Sequence, residues 1–238
     1  LKPEKHIFKD KKAVAEAFAE YLAEQIDEAG QFTIALSGGS TPKVLFDHLA
    51  EKYSKKIEWS KVKLFWGDER CVPPDDNESN YKMTKEHLLD HIDIPEENVF
   101  RIQGEDDPFQ ESGRYGQVLI NELEVEYNIP KFDLIILGMG EDGHTASIFL
   151  QQMELMLDAD FTAVAWHPES GQKRVTITGP VINNAKNVCF LVTGEGKAEK
   201  VETILNRTPG HKKYPAAHVL PSHGELHWWL DEAAGKKL

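Results

Sequence analysis

The chain is short of thiols, of positive charge and of long apolar runs. Of its 238 residues only two are cysteines, Cys71 and Cys189, and they lie far apart. With no secretion signal they read as reduced thiols, which excludes a disulfide-built scaffold and implies a cytoplasmic location. Neither is set up as a nucleophile: Cys189 lies in an apolar run, and no histidine flanks Cys71. No apolar run approaches the roughly 20 residues of a membrane span. The opening Leu1-Lys-Pro-Glu-Lys-His6 lacks a signal-peptide core and an initiator Met, as a trimmed or incomplete N-terminus would. Lys and Arg total 27 against 40 Asp and Glu, a net charge of −13. That deficit argues against a nucleic-acid partner, which needs basic patches. It leaves room for a small anion held by a few cations in one cleft. Two signatures are missing as well. No G-x-S-x-G elbow offers a serine nucleophile, and no Gly-Lys-Ser/Thr completes a P-loop.

What is present is an alternation. Phe32–Leu36, Val62–Trp66, Leu134–Leu137 and Asn187–Val192 are short, mostly apolar runs, as strands buried on both faces are. Amphipathic stretches at 12–29, 81–89, 109–127, 151–160 and 197–206 predict helices between and around them. Further strands are expected at 99–102, 161–166 and 174–178, and a short helix at 179–185. The tail, with His223 and His227 four apart before Trp228 and Trp229, reads as a closing helix. No repeat or domain boundary interrupts the pattern. It predicts a single α/β domain over 1–238, with a predominantly parallel, Rossmann-like twisted sheet flanked by helices on both faces.

The strand at 134–137 runs into Gly138-Met-Gly-Glu-Asp-Gly-His144 and then what reads as a helix start. Parallel sheets place their chemistry at such carboxyl ends, which singles out Asp142 and His144. The same stretch fits G-x-G-x-x-G. Glu141 and Asp142 would repel a pyrophosphate there, so a dinucleotide site is not expected.

Ser37-Gly-Gly-Ser-Thr-Pro42 follows the strand at 32–36 and precedes a helix. Glycines before a helix N-terminus let an anion approach backbone N–H groups, with Ser40 or Thr41 as N-cap and Pro42 in the first turn. An ordinary strand-to-helix turn is the plainer reading. Gly67-Asp-Glu-Arg70 follows the next strand. Arg70 suits a bidentate phosphate clamp, with Asp68 holding it or touching hydroxyls; an internal salt bridge is the alternative. Lys197, after two glycines at a helix start, is either a solvated lysine or a cation answering an anion. His87 and His91 have metal-compatible spacing, but no third ligand is evident.

Together, Ser37–Pro42, Trp66-Gly-Asp-Glu-Arg-Cys-Val-Pro73, Glu78-Ser-Asn-Tyr81, Leu137–Phe149 and Gly196-Lys-Ala198 resemble the motifs of the 6-phosphogluconolactonase family, grouped with glucosamine-6-phosphate isomerase/deaminase. Arg174-Val-Thr-Ile-Thr178, Pro215-Ala-Ala217 and Trp228-Trp229 extend the match over nearly the whole chain. The resemblance implies hydrolysis of a phosphosugar lactone, 6-phosphoglucono-1,5-lactone, with no cofactor and no metal. It implies His144 as general base with Asp142 beside it. Gly39, Ser40, Thr41, Arg70 and Lys197 fall in the region holding phosphate and sugar oxygens, and Gly38, Asp68 and Gly140 complete the candidate binding set. No membrane partner is expected, and a monomer or small homo-oligomer is. The family's usual Pro after the Phe is Leu150 here. The sister deaminase activity calls for a Glu seven residues after the Asp, where this chain has Phe149. A non-catalytic sugar-phosphate module is the other alternative.

Overall fold

In the computed structural model, which describes residues 2–238, the apolar runs become the centre of one sheet. In chain order the strands are β1 (Glu4–Phe8), β2 (Phe32–Leu36), β3 (Val62–Trp66), β4 (Asp68–Arg70), β5 (Val99–Phe100), β6 (Glu124–Glu126), β7 (Ile129–Lys131), β8 (Leu134–Leu137), β9 (Thr162–Trp166), β10 (Lys173–Ile177), β11 (Asn187–Val192) and β12 (Glu225–Asp231). The helices are α1 (Lys11–Glu28), α2 (Ser40–Lys52), α3 (Asn80–His87), α4 (Pro108–Glu122), α5 (Gly179–Asn184), α6 (Ala198–Leu205) and α7 (Glu232–Gly235). Seven strands form the main sheet in the order β1-β12-β11-β8-β2-β3-β5. Every pairing in it is parallel. Every residue of β2 and β8 is buried, which is why these strands show no polar alternation. The expected parallel α/β sheet with flanking helices is borne out.

The order carries the functional consequence. From β2 the sheet grows outward through β3 and β5. The chain then returns to β8 on the other side of β2 and grows through β11 and β12. Right-handed crossovers in opposite directions put helices on opposite faces and open a crevice above the carboxyl ends of β2 and β8.

A second sheet overhangs that crevice. At Gly67 the chain leaves β3: Gly67 N donates to Leu36 O (2.8 Å), and Gly67 O accepts from Ile177 N (2.9 Å). The next residues form β4, which pairs antiparallel with β10, and β10 with β9. The exit from β3 is fixed by the buried Tyr115 hydroxyl, which accepts from Trp66 N and donates to Trp66 O, both at 2.9 Å. Tyr115→Phe leaves both backbone groups buried and unpaired. It is expected to cost about 1–3 kcal/mol, several degrees in Tm, readable by thermal denaturation.

Four expectations need correction. The helix at 109–127 stops at Glu122, and β6 and β7 follow as a hairpin turning through Tyr127 and Asn128, both at positive φ. The tail is not a helix: β12 pairs with both β11 and β1, and strand pairing on two sides overrides the four-residue histidine spacing. No helix opens after His144; residues 138–149 form a loop with a Thr145–Ile148 bridge and Ala146 at φ 47°. The segment beyond, Leu150–Met156, is a pair of 3-10 turns broken by the non-helical Gln152, and not a helix over 151–160. The edge strand β1 was not anticipated.

Candidate active site

The crevice offers a cavity of about 190 Å³ and is lined by the turns after β2 and β8, by β4 and by β10. It brings together Gly38, Gly39, Asp68, Arg70, Gly140 and His144 of the candidate set. The Ser37 turn and the His144 ring thus face one cavity, although their positions in the chain are remote.

His144 and Asp142 form a pair. The His144 Nδ1 stands 2.6 Å from Asp142 Oδ1, which also accepts from His144 N at 3.1 Å. Burial pushes the Asp142 carboxyl up, but hydrogen bonds and charge from His144 outweigh it and hold the group down to about 2. An ionised carboxylate only accepts, so Nδ1 carries the imidazole proton and Nε2 keeps its lone pair. The ring packs against Phe149 at 4.9 Å between centroids, which fixes its tilt. The carboxylate's contribution to stability is present above the usual aspartate value near ~3.9 and is lost as pH falls through about 2. The stability difference between the parent and Asp142→Asn is therefore expected to be flat above about pH 4 and to shrink toward pH 2. Asp142 is part-exposed, so the difference is small; urea titrations across pH check it.

Gly140 makes the pair possible. A Cβ there would stand 2.2 Å from His144 Nδ1 and 2.5 Å from Asp142 Oδ1. Gly140→Ala is expected to displace the dyad and lower kcat about a hundredfold, the scale of a misplacement near 1 Å, with the urea midpoint checking that the fold survives.

Two cations also line the crevice. Arg70 and Arg174 are register partners on β4 and β10. The Nε of each is buried with no hydrogen-bond partner. Arg101 and Arg114 are neutralised by Glu105 and Glu111, whereas Arg70 and Arg174 have no carboxylate within salt-bridge reach among the described residues. Burial and then Arg70 hold the Arg174 guanidinium below its ordinary range, with Asp68 the foremost opposing charge. The internal salt bridge weighed for Arg70 does not form: Arg70 Nη1 donates to Glu78 O (2.7 Å), while the Asp68 carboxylate accepts from Ser147 Oγ (2.6 Å). Glu69 instead ties β4 to α3, accepting from Ser79 Oγ and from Asn80 and Tyr81 N.

Besides Asp142, three candidate residues stand beside the crevice rather than in its lining. Neither Ser40 nor Thr41 caps α2; the cap position is Gly39, at φ 111°, with no side-chain hydrogen bond. The Ser40 hydroxyl accepts from Lys11 Nζ (2.9 Å), and Thr41 shares a 2.7 Å bond with Thr193. With both hydroxyls engaged, the first N–H groups of α2 have no side-chain acceptor. Lys197 is part-buried beyond Asp142, with burial lowering it and Glu141, then Asp142, opposing. Sequence reasoning missed Arg174 as a site residue. Its signals were an Arg at the start of an alternating strand and the place of that strand in the family resemblance.

Fold and site define a class: doubly wound α/β chains whose switch-point crevice brings two carboxylate-free guanidiniums and an Asp–His pair to one cavity. Residues 9–228 match the model of the family described as glucosamine-6-phosphate isomerases/6-phosphogluconolactonase, and the chain belongs to that family. It is 46% identical to a 6-phosphogluconolactonase of Haemophilus influenzae over 208 residues, 86% of this chain and 87% of that one. It is 41% identical to one from Treponema pallidum over 202 residues, 85% and 84% of the two chains. The solved 6-phosphogluconolactonase of Trypanosoma brucei superposes with TM-score 0.91 at 30% identity, covering 100% of this chain and 99% of its own. A monomeric glucosamine-6-phosphate deaminase shares the fold, with TM-score 0.82 at 19% identity over 99% of this chain and 100% of that one.

Proposed function

We propose that this chain hydrolyses 6-phosphoglucono-1,5-lactone to 6-phosphogluconate, in the oxidative branch of the pentose phosphate pathway, with His144 as general base. The observation that carries the reading is that His144, held by Asp142, and the Arg70–Arg174 pair line one and the same crevice. The phosphate is held by Arg70 and Arg174, by the Gly38–Gly39 turn and by the uncapped N-terminus of α2. Lys197, Ser40 and Thr41 border this region and set its charge and shape. Gripped at its far end, the sugar presents its lactone carbonyl to the imidazole, so binding energy serves orientation.

His144 Nε2 takes a proton from water as the water oxygen bonds to the carbonyl carbon. The oxyanion draws on peptide N–H groups of the glycine-rich loops, each such donor worth about 3–4 kcal/mol in comparable sites. Collapse breaks the bond between that carbon and the ring oxygen, which receives the proton back from Nε2. Asp142 holds the tautomer and balances the imidazolium formed in between, without accepting its proton. Asp68, locked by Ser147, is placed for sugar hydroxyls. The mechanism calls for no metal. The crevice presents two cations, one carboxylate and one imidazole, a poor donor set for a divalent ion. The charge balance and free thiols support a cytoplasmic enzyme acting on free sugar phosphate rather than nucleic acid.

The test sets two reactions side by side: proton release from the lactone and ammonia release from glucosamine-6-phosphate. The expected outcome is the first without the second, because Phe149 stands in place of the acid that deamination needs. Ammonia release at a comparable rate, or ligand-induced melting shifts without any turnover, would overturn the proposal.

A further inference from the structure

At one edge of the main sheet, away from the crevice, three ligand-type side chains converge. β1 and β12 run parallel, with Glu4 opposite His227 and His6 opposite Trp229. Glu4 and His6 are two apart on a strand, so their side chains leave the same face, and His227 leaves that face from β12. His6 Nε2 stands 3.2 Å from His227 Nδ1. Glu4 Oε2 stands 3.5 Å from that Nδ1 and 3.9 Å from His6 Nε2. For bonds of about 2.0–2.1 Å, the ligand atoms of a tetrahedral zinc ion lie about 3.3–3.4 Å from one another. The three atoms thus outline one face of such a tetrahedron.

The surroundings suit ligation. His227 Nε2 lies 3.2 Å from Glu225 Oε2. That carboxylate accepts a hydrogen bond from Nε2–H and leaves the Nδ1 lone pair aimed at the cluster, the carboxylate–histidine support common to metal ligands. His227 is only 4% exposed, and His6 stacks on Trp229 at 4.2 Å, so both rings are held in place. Glu4 is exposed, which leaves the outer side open to water as fourth ligand. A hydrogen bond between the two histidines accounts for the 3.2 Å contact but not for a carboxylate oxygen at the third vertex.

We propose that Glu4, His6 and His227 bind one divalent cation of the zinc class, with Glu225 orienting His227. The donor set of two imidazoles and one carboxylate fits zinc. His227 is the third residue of β12, nearer its amino end, whereas the crevice lies at the carboxyl ends of the strands. The ion therefore serves as a clasp rather than in catalysis. β1 pairs only with β12 and contains no fully buried residue. Such an edge strand gains from a tether.

The experiment titrates tag-free, chelator-treated protein with zinc chloride by calorimetry, and follows amide exchange and thermal unfolding. One ion per chain is expected, with slowed exchange in β1 and a Tm rise of about 5–10 °C at a hundredfold excess over Kd. His6→Ala and Glu4→Gln are expected to weaken binding at least about tenfold, and Glu225→Gln about 10–100-fold. None of the three is expected to change lactone turnover, which together with circular dichroism certifies their folds. Absence of binding at millimolar zinc, affinity unchanged in His6→Ala, or inhibition of turnover in proportion to occupancy would each overturn the assignment.

Discussion

His144→Ala is expected to lower kcat for lactone hydrolysis by at least about a hundredfold, with KM changed by no more than a few-fold. The split follows from the geometry. The imidazole is bonded to Asp142 and the Arg70 guanidinium to Glu78 O, so removing the ring deletes proton transfer and leaves the phosphate grip intact. A positioned general base contributes about 10²–10⁴-fold. The lactone ester is intrinsically reactive, so the residual rate is expected to be measurable. Because His144 is part-exposed, truncation opens no buried cavity and the variant is expected to fold normally. Stopped-flow proton release with purified variant provides the check. A kcat within a few-fold of the parent would remove His144 from the base role and shift attention to the other titratable group in the lining, Asp68.

Arg174→Met is expected to do the opposite: kcat/KM falls by about 30–200-fold, mostly through KM, and stability does not fall. Met keeps much of the stem volume over Phe149, which the guanidinium covers at 5.5 Å from the ring centre. What it removes is a charge that burial and Arg70 both oppose, and a buried Nε with no partner. The folded state is thus relieved of an unpaired polar group and a like-charge contact. The substrate loses a charge-assisted contact worth about 2–3 kcal/mol. Loss of affinity with gain or constancy of Tm marks a group kept for its ligand rather than for the fold. A large drop in Tm with unaltered KM would assign Arg174 a packing role instead. Inorganic phosphate, tested as a competitive inhibitor, should lose potency in parallel.

Comparison of these residues with the sequence explains what was legible. β2, β3 and β11 coincide with apolar runs because strands buried on both faces must be apolar throughout. His144 and Asp142 were visible because the strand before them and the glycines around them are contiguous in the chain. Arg174 was not. Its partner Arg70 is brought alongside by the register of the small antiparallel sheet, and nothing local distinguishes such an arginine from a solvated one. β12 was mistaken for a helix because its two buried faces erase the two-residue alternation. β1 escaped because an edge strand carrying Glu4, Lys5 and His6 has almost no apolar pattern to show. The hydroxyls of Ser40 and Thr41 were expected to cap α2, but Lys11 and Thr193, from distant segments, claim them first.

The central claim is that one crevice grips a phosphate with the Arg70–Arg174 pair while His144 activates water at the other end of the same sugar. Proton release from freshly prepared 6-phosphogluconolactone, measured beside unphosphorylated gluconolactone, tests it most directly. The account predicts rapid turnover of the phosphorylated lactone and at least about a hundredfold lower kcat/KM for the other, a gap that Arg174→Met narrows. Equal kcat/KM for the two lactones, or a gap that survives intact in Arg174→Met, would contradict it.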